Sequence, residues 1–307
     1  MNDSIGGVGR RHLSQLQVLE AEAMYIIREV VAEVENPAMM FSGGKDSIVM
    51  LHLAAKAFAP SAIPFPLLHI DTGHNFPEVL EFRDYCVSKY RVNLMVGSVQ
   101  DAIDRNMVFE DRNGSRNRIQ TPVLLETAAK HGFNALLGGA RRDEEKARAK
   151  ERVFSFRDEF GQWDPKDQRP ELWNIYNGHM QLGESMRVFP LSNWTELDVW
   201  DYIATEGVEV PSIYYSHQRE VFERNGMWFA ANSFCKPTKD EQTSVRNVRY
   251  RTVGDATLTA AVLSEADTVE KIIEEIRETR VTERGATRGD DKFSEAAMED
   301  RKKEGYF

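Results

Sequence analysis

Six consecutive residues combine the groups that proteins use to bind an oligophosphate. They are Ser42, Gly43, Gly44, Lys45, Asp46 and Ser47. The two glycines let the backbone approach a ligand closely, and the N–H groups of such a loop point into one concavity. The lysine adds a positive charge, the serines add hydroxyl donors, and the helix predicted to begin near Ser47 adds the positive end of its dipole. The alternative is a plain strand-to-helix turn with a serine or aspartate cap, and the complete set of six favours phosphate binding.

The spacing of this loop distinguishes it from the Walker A loop of nucleoside triphosphatases. The pattern G-x-x-x-x-G-K-[ST] is absent from the sequence, and one residue separates Gly43 from Lys45. Walker loops typically serve attack at the γ-phosphorus. A shorter loop that holds the terminal pyrophosphate would instead leave the α-phosphorus open to a nucleophile.

The segments around the loop predict an α/β fold with a mostly parallel, doubly wound sheet. Apolar residues at helical spacing predict a first helix over 13–34, which Asn36-Pro37 ends. Strands are then predicted over 38–41, 65–70, 92–96 and 135–137, and they alternate with helices over 48–59, 76–90 and 122–131. Ligands bind beyond the carboxyl ends of the strands in such a sheet, where 42–47, 71–73 and 138–142 would converge.

The chain is less regular after residue 150. The polar segment 157–178 carries Pro165 and Pro170, which predicts a long surface loop. A helix is predicted to start at Thr195, because Thr195 and Asp198 have the spacing of a capping box. A further helix is predicted over about 265–280.

Two regions of different character follow from this pattern. We expect a catalytic nucleotide-binding domain over residues 1–210 and a C-terminal extension over 211–307. The extension ends in a mixed-charge segment, 281–307, which has few apolar residues. Such a segment cannot pack by itself, and we therefore expect it to fold on a partner or to remain disordered.

The composition excludes several classes of protein. The 307 residues include 39 Lys and Arg against 49 Asp and Glu, a net charge of −10, which argues against a broad basic surface for nucleic acid. The two cysteines, Cys86 and Cys235, exclude a disulfide scaffold and a cysteine-rich metal site. No apolar run approaches the length of a membrane span, and residues 1–11 lack the core of a signal peptide. We expect a cytoplasmic enzyme that binds neither nucleic acid nor membrane.

Five segments together resemble one enzyme family. The loop 42–47, in its strand-to-helix setting, resembles the PP-loop of the adenine-nucleotide α-hydrolase-like enzymes, which cleave ATP between its α and β phosphates. Residues 68–78 resemble the motif of the branch that contains sulfate adenylyltransferase and phosphoadenylyl-sulfate reductase. Residues 138–152, 190–200 and 302–307 are similar to the transferase branch. The chain is identified, over nearly its whole length, as a member of the small catalytic subunits of two-subunit bacterial sulfate adenylyltransferase.

The resemblance implies an activity and a partner. That family joins sulfate to the α-phosphorus of ATP and releases adenylyl sulfate and pyrophosphate, the first step of sulfate assimilation, with Mg²⁺ on the phosphates. A larger GTPase subunit assists the reaction. This chain has neither a Walker A loop nor an N-K-x-D motif, so GTP would bind to the partner alone, and the segment 281–307 is our candidate for the docking surface.

The resemblance also implies roles for individual residues. The β and γ phosphates would be held by the hexapeptide, Ser42, Gly43, Gly44, Lys45, Asp46 and Ser47, and Mg²⁺ would also be bound by Asp46. The adenosine pocket would be lined by Asp71, Thr72 and Gly73, with Gly138 and Gly139 nearby. The catalytic residues would be Lys45, Arg141 and Arg142. Arginine forks fit tetrahedral oxyanions, which makes the two arginines candidates for sulfate and the α-phosphate.

Three of these roles have structural alternatives. Asp46 could be only a helix cap, and Asp71 could form an Asx-type turn. The charged run 141–152 could be a solvated helix, an interpretation that we favour for its four basic residues from Lys146 onward. Arg141 and Arg142 differ from these residues, because the glycines at 138–139 place them beside the predicted ligand-binding cleft at the carboxyl ends of the strands.

The chemistry predicts no essential histidine or cysteine. Sulfate is ionised at neutral pH and needs no general base, so catalysis would depend on alignment and charge neutralisation. His52, His69 and His74 are then packing or polar residues. A related reductase would need a catalytic cysteine near the C-terminus, and no cysteine follows Cys235. A non-catalytic nucleotide-binding partner of a GTPase is the other alternative, and the intact hexapeptide argues against it.

Overall fold

The computed structural model describes residues 13–110, 116–144, 150–278 and residue 283. The helices are α1 (Gln15–Glu33), α2 (Lys45–Phe58), α3 (Pro77–Tyr90), α4 (Val99–Asp104), α5 (Gln120–His131), α6 (Glu196–Glu206) and α7 (Val269–Glu278). The strands are β1 (Pro37–Met40), β2 (Leu67–Asp71), β3 (Leu94–Ser98), β4 (Ala135–Leu137), β5 (Phe154–Arg157), β6 (Ser185–Val188), β7 (His217–Arg224), β8 (Met227–Ala230), β9 (Thr243–Arg249) and β10 (Val262–Leu263).

Most of the segment 281–307 lies outside the described residues. The expectation that it forms a docking surface therefore stays a prediction. The same holds for Lys146 and Arg148 of the charged run and for the motif 302–307. Glu283 is the one residue of this segment that the structure describes.

The first sheet has the order β3-β2-β1-β4-β6-β5, with parallel pairing from β3 through β6 and an antiparallel strand β5 at one edge. The predicted parallel α/β sheet is confirmed. Helices α2, α3 and α5 connect successive parallel strands, because such strands need a crossover rather than a hairpin. The loops after β1, β2 and β4 therefore leave the sheet at the same edge, where the predicted ligand segments meet.

The ends of α1 and α5 follow from local chemistry. Ser14 and Gln17 form a capping box at the start of α1. Gly132 adopts the left-handed conformation that ends α5, at the predicted position. Asn36 donates to the carbonyls of His131 and Gly132, which joins the entry of β1 to the end of α5.

A second sheet, which the sequence did not predict, occupies residues 217–263. Its order is β10-β9-β7-β8 and all its pairs are antiparallel. Polar residues dominate β7 and β9, and neither strand alternates cleanly between buried and exposed positions. The period-2 signal of a strand is therefore weak in this region. β5, β6 and the short helix α4 were also not predicted.

The two sheets share one hydrophobic core. Its largest cluster contains Val49 of α2, Trp200 of α6 and Val248 of β9. After β9 the chain returns to the first sheet, where Asn75 and Asp255 form an antiparallel bridge and Ala256 N–H donates to the His74 carbonyl at 2.9 Å. The division into residues 1–210 and 211–307 stays a prediction, and the second sheet lies within the latter.

The predicted long loop 157–178 contains one 3-10 turn, Leu172–Asn174, and no α-helix, while β5 extends to its first residue. The predicted helix after Thr195 is confirmed as α6, with a capping box in which Thr195 and Asp198 bond each other's backbone N–H groups. The last predicted helix is α7, which begins at Val269, after the expected start at about residue 265, and residues 279–280 lie outside the described residues.

Replacing Thr195 by alanine removes the capping acceptor of α6. We expect the free energy of unfolding to fall by about 1 kcal/mol, measured by urea denaturation of the full chain. Thr205→Ala, at the other end of the same helix, is the matched control. Equal losses in the two variants would contradict the importance of the cap.

Candidate functional site

The hexapeptide 42–47 joins β1 to α2. Gly43 has a φ of +74°, and a Cβ there would lie 2.6 Å from Val79 Cγ1, so only glycine fits. Gly44 is the N-cap of α2, and the helix starts at Lys45, two residues before the predicted position. Ser47 Oγ donates to the Gly44 carbonyl at 2.8 Å. The loop is thereby held as the predicted turn, with the first turn of α2 facing the cavity.

The β4 loop packs directly on the first turn of α2. A Cβ on Gly139 would lie 3.1 Å from Asp46 Cβ and 3.2 Å from Ser47 N. The absence of a side chain at this position allows two loops from neighbouring strands to touch. Gly138 N–H donates to the Val188 carbonyl at 2.8 Å, which holds the loop on β6.

A cavity of about 210 Å³ opens where the loops after β1, β2 and β4 meet. Seven of the predicted site residues line it, namely Ser42, Gly44, Asp46, Ser47, Thr72, Gly138 and Gly139. A second wall, which the sequence did not indicate, comes from Tyr214, Thr252, Val253, Gly254 and Asp255. The cavity therefore lies between the parallel sheet and the return segment after β9.

The other predicted residues do not line the cavity. Gly43 is packed against Val79. Asp71 Oδ1 accepts from Gly73 N–H at 2.7 Å and from Asn75 Nδ2 at 3.0 Å, so the Asx-type hydrogen bond considered for Asp71 is present. Arg142 Nη1 donates to Asn193 Oδ1 at 2.7 Å, away from the hexapeptide.

Lys45 and Arg141 come together, as predicted, but beneath the surface. Each residue is only 1 % exposed. Arg141 Nε lies 2.7 Å from Asp46 Oδ1, and Lys45 Nζ lies 3.1 Å from Asp46 Oδ2. The two cations also form ion pairs with the two carboxylate oxygens of Glu283, which is 4 % exposed. No motif in the sequence indicated Glu283, which stands in the C-terminal segment 238 positions from Lys45.

The four charges set each other's protonation state. Burial alone would lower the pKa of Lys45 and Arg141, but Asp46 and Glu283 outweigh it and raise both values. Burial would raise the pKa of Asp46, but Arg141 and Lys45 lower it below its ordinary value. Burial raises the pKa of Glu283 to about 7, although both cations act in the opposite direction. We therefore expect Asp46 to stay ionised and Glu283 to titrate near neutral pH.

Asp46 is not the cap of α2, because Gly44 occupies that position and no side chain caps the helix. Its two oxygens face Arg141 and Lys45, respectively. The alternative in which Asp46 only caps the helix is therefore wrong. Its binding of Mg²⁺ stays a prediction.

Tyr214 supports the hexapeptide from the second half of the chain. Its hydroxyl accepts a 2.8 Å hydrogen bond from Lys45 N–H, the first helical N–H of α2. Burial raises the pKa of this hydroxyl, so it remains protonated. The contact spans 169 positions, and the sequence around Tyr214 carries no motif that could have indicated it.

The three histidines singled out in the sequence are half-buried or buried. His69 Nδ1 lies 2.8 Å from the Phe41 carbonyl, and burial lowers the pKa of His69 and of His52. His74 packs its ring 4.5 Å from that of Phe234. Its pKa is lowered by burial despite the nearby carboxylate of Asp255. All three are therefore neutral at pH 7.

Both cysteines are buried and free of disulfide bonds. Burial raises the pKa of Cys86 to about 12 and also raises that of Cys235. Neither thiol ionises near neutral pH, and a thiolate is the nucleophilic form. This environment is that of a packing residue, as expected for Cys235.

Among the described residues, no group of three or more His, Cys, Asp or Glu side chains could hold a metal ion. In the same part of the chain, every helix is too short or too polar to cross a membrane.

The chain was compared with family models and with known proteins. Residues 36–261 match the model of the phosphoadenosine phosphosulfate reductase domain. A relative from Streptomyces lavendulae named sulfate adenylyltransferase subunit 2 is 60% identical over 306 residues, 99% of this chain and 96% of the relative. A protein of the same name from Mycobacterium sp. (strain KMS) is 62% identical over 299 residues, 97% of this chain and 96% of the relative.

A solved structure, phosphoadenylyl-sulfate reductase from Candida auris in complex with phosphate, is also similar. It shares 18% sequence identity and has a TM-score of 0.43. The similarity covers 66% of this chain and 91% of that one.

Replacing Tyr214 by phenylalanine removes the acceptor of the Lys45 N–H group. A buried donor left without its partner costs about 1–3 kcal/mol, and we expect the free energy of unfolding to fall by that amount in urea denaturation. Tyr215→Phe, one position along, is the control and should change stability by less than about 0.5 kcal/mol. Unchanged stability of Tyr214→Phe would show that the hydroxyl does not support the loop.

Proposed function

The chain belongs to the phosphoadenosine phosphosulfate reductase domain family and to the family of sulfate adenylyltransferase subunit 2, and we propose that it transfers the adenylyl group of ATP to sulfate. The products are adenylyl sulfate and pyrophosphate. The observation that carries the proposal is the 60% identity to a protein of that name over 99% of the chain. The intact hexapeptide at the mouth of the cavity agrees with it.

The reaction requires in-line attack at the α-phosphorus. A sulfate oxygen forms a bond to that phosphorus, and the bond to the oxygen that bridges the α and β phosphates breaks. The electron pair of the broken bond leaves with pyrophosphate. Sulfate is already ionised, so no proton has to be removed, which agrees with the lowered pKa of His69, the histidine in the cavity wall. The protein's task is to align two anions and to stabilise the leaving charge.

The hexapeptide suits the leaving pyrophosphate. The first N–H groups of α2, from Lys45 onward, have no intrahelical acceptor, and the dipole of the helix favours negative charge at this end. Ser42 and Ser47 add hydroxyl groups that line the cavity. Lys45 N–H is already bonded to Tyr214, which leaves the N–H groups of Asp46 and Ser47 as the backbone donors for phosphate oxygens.

The cationic pair Lys45–Arg141 is the proposed source of charge neutralisation. Both side chains converge on one carboxylate of the cavity wall, that of Asp46. A lysine and an arginine at this distance suit an oxyanion that bridges them. Arg142 turns to Asn193, and its proposed role in sulfate binding would require another side-chain orientation. Asp71, Thr72 and Gly73 form the loop after β2, and Thr72 is the residue of this turn that borders the proposed adenosine pocket.

The donor set around the hexapeptide fits a Mg²⁺ ion that arrives on the phosphates. Mg²⁺ keeps several waters and binds through one or two carboxylates together with substrate phosphates, and Asp46 offers one such carboxylate in the cavity wall. When bound, the ion neutralises charge on the polyphosphate. The described residues offer no closed cage for a resident metal.

The name of the matching domain family also raises a reductase as a second candidate. That chemistry needs an ionisable cysteine that reaches the substrate. Cys86 and Cys235 are buried, with raised pKa values, and neither lines the cavity. This observation favours the transferase.

The relatives are called subunit 2, and we infer that this chain also works with a partner subunit. We propose a larger GTPase subunit that binds GTP by itself and drives the uphill formation of a phosphosulfate bond. The assembly would act in the cytoplasm. The absence of Walker A and N-K-x-D motifs from this sequence supports the assignment of GTP to the partner.

The direct test is sulfate-dependent release of pyrophosphate from ATP, measured with the full chain alone and with the larger subunit and GTP. We expect adenylyl sulfate and pyrophosphate in equal amounts. Release of ADP and orthophosphate, or no release even with partner and GTP present, would contradict the proposal.

Lys45→Met in the same assay removes one charge of the cationic pair. We expect kcat/KM to fall by about 100- to 1000-fold, the usual effect of losing a preorganised electrostatic group. Lys56→Met, at the other end of α2, is the matched control and should keep nearly full activity. Circular dichroism at the assay temperature ensures that both variants are folded.

A further inference from the structure

Glu283 holds the position that an oxyanion would take in the proposed function. Its carboxylate spans the two cations, with one oxygen on Lys45 Nζ and the other on Arg141 Nη2. A carboxylate that bridges a lysine and an arginine has the geometry of a phosphate or sulfate edge bound to the same pair. Glu283 is buried, and it also borders the cavity.

The charged groups in the cavity wall determine what an incoming polyanion meets first. Four carboxylates line the cavity, those of Asp46, Glu144, Asp255 and Glu283. Lys45 and Arg141 do not line it, and each is 1 % exposed. A phosphate chain entering this cavity would therefore meet negative charge first.

We propose that Glu283 is an internal anion that occupies the oxyanion position between Lys45 and Arg141, and that the pyrophosphate group replaces it there. This inference rests on the proposed function, because it identifies the Lys45–Arg141 pair as the centre that receives the leaving group. It also means that Glu283, far from the hexapeptide in sequence, competes with pyrophosphate for the two cations. Binding of the polyphosphate and pairing of Glu283 with the two cations then exclude each other.

The experiment compares Glu283→Gln with the wild-type full chain. Glutamine keeps the size of the side chain and removes the charge that competes. We expect the Kd for magnesium pyrophosphate, measured by isothermal titration calorimetry at pH 8, to fall by up to about tenfold, the limit that a competing group with a pKa of about 7 sets at that pH. Glu278→Gln removes an equal charge from an exposed position of α7 and should leave the Kd unchanged.

The pH dependence of the ratio between the two Kd values is a second readout. A carboxylate that is only a structural counter-ion would not change this ratio with pH. The groups that act on Glu283 are Lys45, Asp46, Arg141 and Glu196, and Glu144 and Tyr214 lie in the same cavity wall. Because the pKa of Glu283 is raised to about 7, it is a carboxylate at pH 8 and largely protonated at pH 6. The wild-type chain and Glu283→Gln should therefore differ in Kd at pH 8 and converge at pH 6. Ionisation of pyrophosphate affects both chains equally and cancels in the ratio.

A further variant decides the question if Glu283→Gln does not fold. Glu283→Asp keeps the charge but is one methylene shorter, so it cannot bridge both cations in the same way. We expect it to bind pyrophosphate more tightly than the wild-type chain. Equal or weaker binding by a folded Glu283→Gln or Glu283→Asp would overturn the inference and make Glu283 a structural counter-ion.

Failure of this inference and failure of the proposed function are distinguishable. Sulfate-dependent pyrophosphate release with an unchanged Kd in Glu283→Gln would remove the competing role and leave the transferase. Tighter pyrophosphate binding by Glu283→Gln, without sulfate-dependent release in any chain, would establish the anion site and refute the transferase.

Discussion

A buried cluster of four charged side chains is the constraint on which the site depends. Lys45, Arg141 and Glu283 are almost fully buried, and Asp46 pairs with both cations from the cavity wall. Two cations alone would repel each other there, and removing one partner of a buried ion pair is strongly destabilising. The cluster also joins the loops after β1 and β4 to Glu283, because its members come from all three places.

The second half of the chain completes a site that the parallel sheet begins. Tyr214 bonds the first N–H of α2, the Arg251 carbonyl lies 3.4 Å from Lys45 Nζ, and Glu196 of α6 forms an ion pair with Arg251. The hexapeptide is thus supported from behind by residues more than 150 positions away. In the proposed reaction, a loop supported in this way could stabilise developing charge without reorganising.

Local sequence determined strands β1 to β4 of the parallel sheet but not the antiparallel sheet. β1, β2 and β4 are apolar runs flanked by amphipathic helices, and burial on both faces produces that pattern without reference to distant residues. In β7 and β9 the residues on both faces are largely polar, and the strands are stabilised by their partners across the sheet. Nothing within either segment indicates that pairing, so sequence periodicity could not reveal it.

The sequence by itself determined the chemistry that the site can offer: the two glycines, the lysine, the acidic residue and the paired arginines, in an order that a strand-to-helix turn requires. Only the tertiary structure decided which of these groups face the cavity. Asp46, Ser47 and Gly139 do, whereas Lys45 and Arg141 lie beneath the wall and bind Glu283. The reason is physical, because charge pairing depends on distance in space. The sequence between the hexapeptide and Glu283 does not indicate how close the two lie in the folded chain.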